Sequence, residues 1–166
     1  MITRQDAIKV AAELNLPEVV QRLARGETLE SRLDGYWGNA EEFFLMKTDY
    51  GEGIFVPLWD DGNFDQVVAF HLPTKKFFEF DVETEIDFEN LTLWNYQQIL
   101  YETFRDIYEV FYDDGEERCR TELNYHADLF EFNYVDELMR IGREVENFKD
   151  WNEMDKVFEE FRKTLI

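Results

Sequence analysis

The stretch FFEFDVETEIDFEN, residues 77–90, carries an acid at every second position: Glu79, Asp81, Glu83, Glu85, Asp87 and Glu89. Apolar residues fill most of the gaps, so an extended chain would put six carboxylates on one side. Alternate residues of a strand stand ~6.6–6.8 Å apart on one face. At that spacing each neighbouring pair repels by about 0.6 kcal/mol in water before screening by salt. A cationic surface laid on such a rail would relieve the repulsion and gain charge-assisted hydrogen bonds. Water alone could also solvate it, as on an edge strand whose charges block sheet-to-sheet aggregation.

A second acidic group lies in WDDGNFD, residues 59–65, where Asp60, Asp61, Asn63 and Asp65 offer oxygen atoms within one turn. An EF-hand loop requires glycine at its sixth position, and counting from Asp60 that position is Asp65. The loop therefore reads as a turn without an ion, and no metal or other cofactor is expected. Placed beside the end of the following acidic strand, it would extend the same anionic surface. Trp59 and Phe64 flank it, as core residues or as aromatic anchors for a partner.

Other chemistry fares worse. Cys119 stands between Arg118 and Arg120, and flanking cations lower a thiol's pKa. His126 follows seven residues later, ~10.5 Å along a helix, too far for a nucleophile–base pair. His71 alternates with Val67 and Ala69 and reads as a hydrogen-bonded packing residue. With 38 acids, no single carboxylate pair stands out as hydrolytic machinery, and a carboxylate-pair hydrolase is the distant alternative. No catalytic residue is assigned, and an enzyme is not expected.

The net charge of −21 repels nucleic acid and anionic lipid, and favours basic protein partners. It is concentrated beyond residue 34: residues 1–34 balance at −1, whereas 35–91 and 92–166 each carry −10. An aromatic content of 17%, with 16 Phe and 8 Tyr, separates the chain from acidic disordered sequences. A chain of 166 residues can bury roughly 70% of its unfolded surface in one domain. The lone cysteine, the absence of a signal-peptide pattern and the lack of a long apolar run predict a soluble, cytoplasmic protein.

The elements that must position these groups follow from period and turn chemistry. Thr3 and Asp6 open a helix with Ile8, Ala11, Ala12 and Leu14 as its stripe. Pro17 starts a second helix, closed by Gly26. Period-two patterning predicts strands over Glu42–Thr48, Gly53–Trp59, Gln66–Leu72 and Lys76 to about Glu83. Short connectors such as Asp49-Tyr50-Gly51 make them an antiparallel meander, with QVVAFHL at its centre. Helical spacing returns from Leu93 to Phe111, around Tyr134–Asn147 and over Trp151–Leu165. The fold class is α+β, an antiparallel meander of about four to six strands packed against N-terminal and C-terminal helices.

GIFVPLWDDGNFDQVVAFHL followed by TKKFFEFDVE resembles the central stretch of the SUKH superfamily, the SMI/KNR-like immunity and regulatory domains. The counterparts are Val56-Pro57-Leu58, the turn Asp60–Asp65, the aliphatic run Val67–Leu72 and Phe78–Glu83. The aromatic helix Trp94–Tyr108 resembles the one that follows in that family. The resemblance implies one SUKH-like domain over 1–166, with 116–166 a helical elaboration of its core. It also implies a binding domain without catalysis. The expected function is that of an immunity protein neutralising a basic toxin, such as a nuclease. The alternative is a regulatory interaction module with no toxin partner. The expected contact residues are Asp60, Asp61, Asp65, Glu79, Asp81, Glu83 and Glu85, with Trp59 and Phe64. The oligomeric state stays open.

Overall fold

The computed structural model describes residues 2–46 and 53–166. Backbone packing divides them into two compact units, Met1–Asn95 and Tyr96–Ile166.

In the first unit, α1 (Arg4–Glu13) begins where the Asp6 carboxylate accepts hydrogen bonds from the Thr3 amide at 2.7 Å and the Thr3 hydroxyl at 3.0 Å. Its buried face is Ala7, Val10 and Ala11, so the stripe is turned from the one expected; Ala12 and Leu14 face solvent. Helix α2 (Glu18–Ala24) follows Pro17 and buries Val19, Val20, Leu23 and Ala24. Gly26, at φ +86°, ends it in the left-handed region where glycine is favoured. Two short helices follow, α3 (Ser31–Asp34) and α4 (Glu41–Met46).

The sheet has three antiparallel strands in sequence order: β1 (Phe55–Asp60), β2 (Gln66–His71) and β3 (Lys76–Asp81). Its register pairs Val56 with Phe70, Ala69 with Phe78, and Gln66 with Asp81. As predicted, QVVAFH is the central strand, buried from Val67 through His71. The β1–β2 register slips between Pro57 and Trp59, where a proline without an N–H cannot donate to the ladder.

Among the described residues the sheet has three strands, fewer than the four to six expected. The expected strand Glu42–Thr48 is helical through Met46; Lys47, Thr48 and the connector Asp49-Tyr50-Gly51 lie outside the described residues. Adjacent aromatics mislead here. Phe43 inserts into the core beside Phe80, with ring centroids 6.3 Å apart, while Phe44 receives the Arg4 guanidinium at 4.3 Å from its ring. Single-residue bridges extend the sheet edges instead. Gly38 exchanges both backbone bonds with Asp60, and Trp94 does so with Phe77.

One face of the sheet holds Phe55, Val67, Ala69, Phe78 and Phe80 around Phe43. On the other, Trp59 lies 6.4 Å from both Trp37 and Phe77. Helices α1 and α2 pack on β1.

The second unit comprises α5 (Tyr96–Phe111), a 3₁₀ turn (Tyr112–Asp114), α6 (Glu116–Phe130), α7 (Val135–Val145) and α8 (Trp151–Lys163). Leu100, Phe104, Ile107, Leu123, Phe130, Leu138 and Phe158 form its interior, and Phe104 stacks on Phe132 at 4.1 Å. Three of these helices follow the predicted periodicity. Periodicity alone did not mark helix α6, because Glu122 and His126 interrupt its buried stripe of Cys119, Leu123, Ala127 and Phe130.

Candidate functional site

Strand β3 ends at Asp81, and the chain then turns. The Asp81 carboxylate holds this turn: Oδ1 accepts from the Glu83 amide at 2.8 Å and Oδ2 from Gln66 Nε2 at 3.3 Å. Two of the six alternating acids, Glu79 and Asp81, therefore share a strand face, and both are half-buried. Glu83 and Glu85 are exposed on the turn and the segment after it, and the Asp87 carboxylate caps a further turn through the Glu89 amide at 3.1 Å. A straight rail of six is not formed. The repulsion expected along it shrinks from five neighbouring pairs to one, about 0.6 kcal/mol.

The β1–β2 connection is built by Asx turns, in which a short carboxylate side chain caps nearby backbone N–H groups. Asp61 Oδ1 accepts from the Asn63 amide at 3.2 Å and the Asp65 amide at 3.1 Å. Gly62 (φ +88°) and Phe64 (φ +60°) reverse the chain. Phe64 is half-buried and packs on the core cluster. The decisive link is the Val82 amide, which donates to the Asp65 carbonyl at 3.0 Å. It fastens the loop to the end of β3, so Asp61, Asp65, Asp81 and Glu83 gather at one tip of the sheet. Sequence spacing offered the two acidic groups separately; pairing of Gln66 with Asp81 unites them.

Two expected contact residues lie inside. Trp59 is 1% exposed, held between Trp37 and Phe77, and cannot anchor a partner at the surface. Asp60 is 6% exposed, and its carboxylate is a structural brace. Oδ1 accepts from the Gly62 amide at 2.7 Å and Oδ2 from the Ala40 amide at 3.1 Å. Burial pushes the Asp60 carboxyl above its ordinary range, outweighing the two N–H groups that favour its charged form. Sequence reading missed that Asp34, Glu41 and Glu42 line a cavity of about 240 Å³ with Asp60, Gly62 and Phe64. They precede the sheet in the chain and are brought there by the pairing of Gly38 with Asp60 and by the Ala40 amide on the Asp60 carboxylate.

Among the described residues no group of three or more His, Cys, Asp and Glu side chains is arranged to hold a metal ion. None of the described helices is long and apolar enough to cross a membrane. His71 is a packing residue, with Nδ1 2.7 Å from Thr74 Oγ1 and the Phe55 ring 4.9 Å away. Cys119 is 1% exposed, and burial pushes its thiol pKa up despite Arg120. A buried thiol kept protonated is a poor nucleophile. In the folded protein at pH 8, Cys119 is expected to react with a disulfide reagent roughly 100-fold more slowly than in urea. Equal rates in a stopped-flow assay would show it to be accessible.

No family model, no curated protein and no solved structure matches the chain.

Proposed function

We propose that the chain is a non-enzymatic binding domain, similar to SUKH proteins, that docks a basic protein on the acidic tip formed by Asp61, Asp65, Asp81 and Glu83. The observation that carries this reading is the Val82–Asp65 hydrogen bond, which joins two anionic segments into one surface. Glu85, exposed shortly after the turn, extends it. Clustered carboxylates on a chain of net charge −21 accelerate encounter with cationic partners and reject polyanions.

In the form the resemblance suggests, the partner is a toxin, such as a nuclease, whose cleft ordinarily takes up phosphates. The tip would occupy that cleft in place of the polyanion, so neutralisation follows from occlusion and needs no chemistry from the domain. The protein would then act in the cytoplasm of the cell that makes the toxin.

Capture on immobilised protein at low and high salt, with mass spectrometry of the eluate, tests the reading. A basic partner released by salt is the expected result, and a toxin encoded next to this chain would identify the immunity role. A salt-released cellular protein with no toxin nearby would favour the regulatory module. An acidic or salt-insensitive partner would end the tip hypothesis, and turnover in a glycoside hydrolysis screen would revive the carboxylate-pair enzyme.

A further inference from the structure

Trp151 is 76% exposed, whereas Trp37 and Trp59 are buried and Trp94 is half-buried. Nothing local requires an indole there. Helix α8 is capped by Asp150, whose Oδ1 accepts from the Asn152 amide at 2.9 Å, so the first helical position could carry almost any side chain. Phe148, 40% exposed, lies three residues earlier in the short α7–α8 connection. The C-terminal end of α5 reaches the same end of the helical unit, where the Tyr112 hydroxyl donates to Glu146 Oε2 at 3.2 Å. Phe148 and Trp151 are thus two large aromatics left in water within four residues of chain, the kind of exposure that a binding surface explains.

The charges around them indicate the occupant. Asp113, Asp114, Glu117, Glu146, Asp150 and Glu153 belong to the segments that form this end, against Arg118 and Lys149. Arg143 is engaged with Glu116. A second copy of the chain would bring like charges together, and nucleic acid or anionic lipid would be repelled. We propose that Trp151 and Phe148 form a docking surface for a cationic protein segment, one that lays an apolar side chain on the indole and sets arginine or lysine against the surrounding acids. This surface lies within residues 96–166 and does not depend on the sheet tip, which belongs to the first unit.

A synthetic peptide rich in arginine and leucine, compared with an arginine–glycine peptide of equal charge, separates aromatic docking from bulk electrostatics. The leucine-containing peptide is expected to shield tryptophan fluorescence from acrylamide and to bind more tightly than the glycine peptide. Trp151→Ala should weaken its binding, measured by calorimetry, about tenfold or more, while Trp151→Phe retains most of the affinity. The exposed tip variant Asp65→Lys/Glu83→Lys should keep the fluorescence protection, so failure of the tip and failure of this surface are distinguishable. Unshielded tryptophan, equal binding of the two peptides, or unchanged affinity in Trp151→Ala would overturn the proposal. So would a concentration-dependent dimer in sedimentation that Trp151→Ala abolishes, because a second copy would then be the occupant.

Discussion

Reversing Asp65, Glu83 and Glu85 to lysine is expected to slow association with the basic partner by about tenfold or more at low ionic strength. It should also flatten the dependence of that rate on salt. Each reversal changes the charge by two, so the three move the net charge of −21 by six units, to −15. The loss comes from position as well as total charge. Surface potential falls off within a Debye length of about 8 Å at physiological salt, so charges at the tip dominate the approach of a partner to the tip. These three residues are exposed, and their side chains can change sign while the turn bonds survive, because those bonds use backbone atoms or the carboxylates of Asp61 and Asp81. Glu79 and Asp81 are less suitable test positions, since both are half-buried and Asp81 holds the turn. Stopped-flow association at several salt concentrations reads both effects, with urea unfolding as the check on stability. An unaltered rate would remove the tip from the mechanism.

Gly38→Ala should destabilise the first unit by about 3 kcal/mol or more, although the residue is no part of the proposed contact surface. A Cβ built on Gly38 would stand 2.0 Å from Asp60 Oδ1 and 2.7 Å from its Cγ. The carboxylate has nowhere to retreat, because its oxygens hold the Gly62 and Ala40 amides and the Asp60 backbone is paired to Gly38 in both directions. Moving it strands buried N–H groups, at about 1–3 kcal/mol for each one left unsatisfied. Against a typical total of about 5–15 kcal/mol, that is a large fraction. Asp60→Ala should itself destabilise by stranding the same amides. Combining the two should cost less than the sum of the single changes, since the clash disappears with the carboxylate. Urea titration of the four proteins checks the cycle, and strict additivity would show that the two sites do not communicate.

Asp60 also leaves a signature in pH. Its folded pKa lies above the unfolded value, so the stability linked to its protonation is fully present below the unfolded pKa and is lost as pH rises through the folded one. Lowering pH from neutral should therefore stabilise the wild type relative to Asp60→Asn, which has no such proton to bind. A wild type that loses stability relative to Asp60→Asn on acidification would show that the amide contacts outweigh burial.

How far the sequence was legible varies by element. QVVAFHL announced a central strand because consecutive apolar residues need cover on both faces, and β2 is flanked by β1 and β3. Helix α5 was readable from Leu100, Phe104 and Ile107, all fully buried. EEFFLM was not readable as α4, since Phe43 and Phe44 fit an extended or a helical pattern equally over so few residues. Helix α6 escaped because its buried face includes Glu122 and His126, whose burial depends on neighbours that local patterning does not contain.

The candidate surface divides in the same way. Composition and spacing alone established the anionic character, the turn at Asp60–Asp65 and the acids on β3, because charge and local backbone preference are properties of short segments. Tertiary structure decided which acids lie together. Strand pairing fastened Asp65 to Val82, burial withdrew Asp60 and Trp59 into the interior, and the turn after Asp81 bent the row of carboxylates. Each of those outcomes rests on contacts between residues distant in the chain, and so on packing that no local pattern encodes.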